Sequence, residues 1–172
     1  MRDKTRNVIR RAEKQLHITE LDDPEEFIRL HEGNLAMKGE RNLLDLGACR
    51  RVLRATLERK RRRILAARDA KNEIVAANFC AWDARTSFYI TCTRSAMARN
   101  GASGLLLWEA TKQAAGNGLT FDFAGTGTHR SILLYAGFGA TIHPRYVAVR
   151  ATGMGRLLSE LRSLFVQEHF LF

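Results

Sequence analysis

Cysteine and proline are scarce in this chain, and each scarcity excludes something. The 172 residues hold three cysteines, Cys49, Cys80 and Cys92. An odd number at wide spacing makes neither a disulfide framework nor a CxxC metal site, so a reducing cytoplasm is the expected setting. Two prolines and 13 glycines exclude collagen-like and proline-rich chains. No apolar run approaches the ~20 residues that a membrane span needs. The opening stretch, MRDKTRNVIRRAEK, is basic and lacks the apolar segment of a signal peptide. No two histidines or cysteines stand at metal-ligand spacing, so no metal is expected. Neither an internal repeat nor a low-complexity tract occurs.

What is present is a folded composition, 45% hydrophobic and 27% charged. The length is that of one domain. Basic residues outnumber acidic ones 28 to 18, a net charge of +10. That balance attracts phosphates, whether of nucleic acid, an anionic cofactor or a membrane face. Residues 1–63 carry 17 basic and 11 acidic side chains, net +6, and the remainder carries 11 and 7, net +4. Charge alone does not choose among these partners. Its densest run, residues 50–63, has eight basic residues and one Glu. It is either a solvated helix face or a surface for tRNA, a nucleotide phosphate or an anionic membrane. No aromatics are interleaved with it, which argues against single-strand stacking.

Periodicity organises the chain. Residues 4–15 read as a short basic helix with a thin stripe of Val8, Ile9 and Ala12, and 17–21 alternate like a strand. Asp22-Asp23-Pro24-Glu25-Glu26 is a helix start, and Lys38-Gly39-Glu40 a stop. A second helix is expected over 43–60, where Leu46, Cys49, Leu53 and Leu57 follow a 3–4 spacing and Arg50, Arg51 and Arg54 lie elsewhere on the surface. The period then changes to two over 62–70, 73–84 and 87–94. The short breaks at Lys71-Asn72 and Arg85-Thr86 predict an antiparallel meander. Ser103 is expected to open an apolar helix that stops at Gly116-Asn117-Gly118. A strand follows over 119–125, then a short helix capped by Thr128, a last strand over 140–151 and a helix from Gly155. The fold class is mixed α/β.

The segment Arg94 to Gly125 carries the chemistry. A strand ends, the loop Arg99-Asn100-Gly101-Ala102-Ser103-Gly104 follows, and a helix begins. Free N–H groups at a helix start attract an anion, and glycine lets a ligand approach the backbone. Arg94 and Arg99 would add charge. Without a ligand, the same loop is simply a well-capped turn.

This segment resembles the acyl-CoA-binding motif of GNAT acyltransferases, Arg/Gln-x-x-Gly-x-Gly/Ala. Arg99, Ala102 and Gly104 fall on it, with Ala102 in the usual glycine slot and the glycine at 101. The element order also resembles that superfamily. A closer resemblance is to its FemAB-like branch. RNVIRRAEKQLHITEL resembles the basic helix and first strand of the C-terminal GNAT unit in those two-unit proteins. GLLLWEATKQAAGNGLTFDFAGT resembles their central helix and following strand. LLYAGFGATIHPRYVAVR resembles their Gly-Phe-Gly and Tyr-x-Val ending, with Tyr135-Ala136 where they carry a lysine-containing stretch. The resemblance implies one GNAT-like domain over 1–172: a leading helix at 4–15, a core at 16–150 and a C-terminal helix at 155–168. It implies a mainly antiparallel sheet with helices on both faces. The implied cofactor site is Arg94, Arg99, Gly101, Ala102, Ser103, Gly104 and Leu105, entered where strand 87–94 parts from strand 119–125.

The implied activity is transfer of an acyl group from acyl-CoA, acetyl-CoA first, to an amine. FemAB-type transfer of an aminoacyl group from tRNA to a cell-wall precursor is the alternative. A non-catalytic binding or dimerisation module is a third reading, and self-association would cover surface left bare by a missing second unit. Such chemistry must position two reactants, stabilise an oxyanion and move two protons. Asp122 is a candidate for holding or deprotonating the acceptor ammonium, or it is a structural carboxylate. Tyr146 could protonate the leaving thiolate, or be a strand aromatic. Tyr135 matches by location the thiolate-protonating tyrosine of many GNAT enzymes, or it packs on Phe138. His129 could face the strand ends or, like His143, be a satisfied or surface histidine, and Cys80 and Cys92 read as core residues.

Overall fold

The switch to period two near residue 62 becomes a β-meander in the structure. The computed structural model describes residues 1–42, 44–98, 101–125 and 129–144, without the side chains of 129 and 130. The chain divides into two compact units, Met1–Gly125 and Thr126–Phe172.

In the first unit the order is α1 (Asp3–Glu13), β1 (His17–Glu20), α2 (Pro24–Lys38), α3 (Leu46–Glu58), β2 (Arg62–Arg68), β3 (Ile74–Trp82), β4 (Thr86–Arg94), α4 (Ala102–Gly116) and β5 (Thr120–Asp122). The five strands form one sheet in sequence order. Pairing is antiparallel from β1 to β4 and parallel between β4 and β5, because α4 carries the chain back across the sheet.

Both faces of the sheet are covered. Ile64, Ala66, Ala77, Phe79 and Ala81 face α2 and α3, where they pack with Phe27, Ile28, Cys49 and Leu53. The alternate residues, among them Leu65, Ala76 and Cys80, face α4. β2 therefore reads as a nearly continuous buried run. Phe27, Ile28, Leu53, Ile64 and Phe79 are fully buried, each contributing about 1.5–3 kcal/mol of hydrophobic burial.

Local chemistry sets the helix ends. Asp23 accepts from the Glu25 N–H, Pro24 stands in the first turn, and Gly39 stops α2 at φ +65°. α3 is shorter than the 43–60 expected. The Asp45 carboxylate accepts from the Ala48 N–H and starts the helix at Leu46, while Lys60, at φ +52°, turns the chain away after its end. α4 begins at Ala102 and is capped by Gly101 at φ +103°, so Ser103 lies inside the first turn and does not open the helix. β5 is cut to Thr120–Asp122. Asp122 Oδ1 accepts from the Ala124 N–H at 2.7 Å, and Ala124 and Gly125 both adopt positive φ, which ends the extended run.

The second unit holds α5 (His129–Phe138), followed by Gly139 at φ +86°. The strand expected over 140–151 is not formed at 140–144, where Pro144 lacks a backbone donor and Thr141 Oγ1 and His143 Nε2 pair locally at 3.1 Å. Residues 145–151, the Thr128 cap and the helix from Gly155 lie outside the described residues.

Candidate functional site

A wedge opens in the sheet between β4 and β5. Their register is Thr86 with Thr120, Ser87 with Phe121 and Phe88 with Asp122, and there it stops. From Tyr89 to Arg94, β4 pairs only with β3 among the described residues. Within this stretch the register skips Ile90: Phe79 pairs with Thr91 and Cys80 with Tyr89. The bulge leaves Ile90 without a ladder partner and re-aims the strand. Before it, Ser87 and Tyr89 pair with Trp82 and Cys80, on the α4 face. After it, Thr91 and Thr93 pair with Phe79 and Ala77, on the α2 face.

The uncovered part of β4 runs toward the start of α4. The first backbone bond of that helix is Leu105 N–H to Gly101 O, at 2.8 Å. The N–H groups of Ala102, Ser103 and Gly104 precede it and have no intrahelical acceptor. Gly101 brings no side-chain cap, and no side chain among the described residues accepts from these donors. Ala102, Gly104 and Leu105 are buried and Ser103 is half-buried. Arg94 stands exposed at the end of β4, with no ion-pair partner among the described residues. Arg99 lies outside the described residues.

The glycines of this turn are small for a reason the sequence does not reveal. A Cβ on Gly101 would lie 3.1 Å from Val8 Cγ1, Val8 O and Ala12 Cβ, and one on Gly104 would lie 3.7 Å from Ile9 Cγ1. Their missing side chains make room for α1.

Asp122 sits where the wedge begins, opposite Phe88, which precedes the bulge at Ile90 by two residues, about 7 Å along β4 at 3.3 Å per residue. It is half-buried, and one carboxylate oxygen is committed to the turn after β5. Phe121 and Phe123 share a face, as period two requires, in an edge-to-face contact at 5.1 Å. Tyr135 lies in α5, half-buried, in the second unit. Tyr146 and the His129 side chain lie outside the described residues. Cys80 is buried, and burial pushes its thiol up to about 12, whereas Cys92 is exposed. Among the described residues, no cluster of His, Cys, Asp or Glu could hold a metal, and no helix is long and apolar enough to cross a membrane.

Two features escape sequence reading. One is the bulge, which no glycine or proline marks. The other is a buried bond from Asn34 Nδ2 on α2 to Thr93 Oγ1 on β4, at 2.9 Å across 59 positions of sequence. Asn34 also lines an open groove of about 330 Å³ along α2 with Glu26, Arg29, Leu30, Gly33 and Met37. In the cationic stretch, Arg50 pairs with Glu25, Arg63 pairs with Glu20, and Arg62 donates to the Asp22 carbonyl. Arg51, Arg54, Arg59, Lys60 and Arg61 are exposed.

A family model described as an acetyltransferase (GNAT) domain matches residues 1–130. The chain belongs to the GNAT family. This GNAT protein is therefore an acyltransferase that draws its acyl group from CoA. Solved structures share its fold at low identity. A Clostridium acetobutylicum protein described as a predicted acetyltransferase and solved with acetyl-CoA superposes with a TM-score of 0.62 at 13% identity, over 78% of this chain and 96% of that one. A Trypanosoma brucei acetyltransferase gives 0.56 at 14% identity, over 79% and 99%. An aminoglycoside acetyltransferase from an uncultured soil metagenomic sample, in complex with sisomicin, gives 0.56 at 18% identity, over 81% and 97%. No curated protein matches the sequence.

Proposed function

We propose that this GNAT protein moves an acetyl group from acetyl-CoA to the nitrogen of an amine, with the donor bound in the β4–β5 wedge. The observation that carries the reading is the early end of the β4–β5 pairing, beside a bulge and upstream of a helix start whose first N–H groups have no intrahelical acceptor. The CoA pyrophosphate would accept from the N–H groups of Ala102, Ser103 and Gly104, with the Arg94 guanidinium nearby and Arg99 on the same loop. The pantetheine arm would run along β4 from Arg94 toward Tyr89, beyond the last β4–β5 pair at Phe88 and Asp122. That places the thioester near Ile90, where a bulge N–H would stabilise the oxyanion.

The acceptor would approach from α2, whose groove is tied to β4 by Asn34. The amine, once deprotonated, attacks the thioester carbon. A C–N bond forms, the C–S bond breaks, and the CoA thiolate takes a proton. Asp122, at the apex of the wedge, is our candidate for holding or deprotonating the ammonium, with Tyr135 and Tyr146 as candidates for protonating the thiolate. We take residues 1–172 as a single GNAT-like domain acting in the cytoplasm. Transfer from a charged tRNA, as in the FemAB-like branch, is the second reading, favoured by the exposed cations at the end of α3.

Thermal unfolding tests the first reading. Acetyl-CoA at a hundred times its Kd should stabilise the protein by about 2.7 kcal/mol. For a chain of this size that raises Tm by roughly 5–11 °C. S-acetylpantetheine, which lacks the pyrophosphate, should give a much smaller shift at the same concentration. No shift with acetyl-CoA, beside a salt-sensitive shift with tRNA, would transfer the assignment to the second reading.

A further inference from the structure

α1 is not part of the sheet, and its packing is chiefly against α4. Only Ile9 and Ala12 of α1 are fully buried, at 3% and 2% exposure, beside Ala102 at 1% and Leu105 at 2%. The contact falls on the turn that starts α4. Ala12 and Val8 close on Gly101 at 3.1 Å from its would-be Cβ, and Ile9 closes on Gly104 at 3.7 Å. Gly101 caps the helix at φ +103° with no side-chain hydrogen bond. A glycine visits positive and negative φ almost equally, so its own preferences do not hold this cap. The neighbouring helix supplies the constraint.

We infer that α1 is a clamp on the acyl-CoA turn, with Val8, Ile9 and Ala12 as positioning residues. Their packing keeps the N–H groups of Ala102, Ser103 and Gly104 convergent before the donor arrives. The inference rests on the donor site proposed above. None of the three side chains need touch the donor. If loosening α1 leaves the turn competent one time in ten, the apparent Kd rises tenfold, because only the competent fraction binds.

The experiment is calorimetric titration with acetyl-CoA. Ala12→Val adds two methyl groups where Gly101 already stands close, and is expected to weaken binding at least tenfold in a folded protein. Val8→Ala combined with Ala12→Val returns most of the volume and should recover most of the affinity, since volume-conserving changes are tolerated best. Ala114→Val, at the buried far end of α4, should lower Tm and leave the affinity unchanged. If Ala12→Val does not fold, Ile9→Ala, which opens a cavity beside Gly104, carries the same expectation. Wild-type affinity in a folded Ala12→Val protein overturns the clamp, and so does an equal loss in Ala114→Val. Failure of the wild-type protein to bind acetyl-CoA overturns the donor site itself, and is seen before any variant is made.

Discussion

The bond between Asn34 and Thr93 joins the helix beside the wedge to the strand that forms it. Both side chains are buried, at 9% and 6% exposure, and the donor and acceptor are 2.9 Å apart. A hydrogen bond of this kind contributes about 1 kcal/mol net, but a buried group left unpaired costs about 1–3 kcal/mol. Thr93→Val keeps the shape and strands the Asn34 amide. Asn34→Ala strands the Thr93 hydroxyl and removes some packing. Each single change should therefore cost about 2 kcal/mol, and lower Tm by roughly 4–8 °C. In the double variant neither group remains to be stranded. Its cost should fall short of the sum of the singles by about 1 kcal/mol or more. Urea unfolding of the four proteins measures that coupling, provided the slopes with denaturant agree. Costs that add to within ~0.5 kcal/mol would refute the reasoning, since that is the behaviour of independent sites.

Asp122→Asn retains an oxygen for the Ala124 N–H and should fold normally, yet lose at least ~100-fold in thiol release with an accepted amine if the charge acts on the acceptor. Normal turnover would leave Asp122 as a turn residue only. Phe79→Ala empties the centre of the core and should cost about 3–5 kcal/mol by urea unfolding, and a loss under 1 kcal/mol would contradict the packing described. A thiol reagent at pH 8 should modify Cys92 alone in the native protein, because Cys49 and Cys80 are buried with their thiols pushed up, Cys80 to about 12; rapid reaction at all three would refute their burial. Asp83 accepts the Arg85 and Thr86 N–H groups at 2.8 Å, which hold its carboxyl below the ordinary 3.8. With the folded value depressed, its support of the β3–β4 turn is present above about 3.8 and lost as pH falls through the lower folded value. An NMR titration midpoint at or above 3.8 would refute this.

The sequence alone determined the element order through α5 and most of the sheet. Period two with two-residue breaks leaves a meander as the short-range solution for β2 to β4, and alternation alone predicts which residues of β2 and β3 share a face. Asp23-Pro24 and Gly39 bound α2 by local backbone chemistry, so its ends are readable without a fold. The helix start at 101–105 is legible for the same reason, since free N–H groups belong to any helix N-terminus. Tertiary structure decided the rest. The skipped residue at Ile90 is set by competing pairings with β3 and leaves no mark in composition. The early end of β5 comes from Asp122 bonding its own turn instead of extending a strand. The partner of Asn34 lies 59 residues away, beyond any local pattern. The glycines at 101 and 104 look in sequence like room for a ligand. In space their missing side chains face α1, because a helix far earlier in the chain packs where a Cβ would stand.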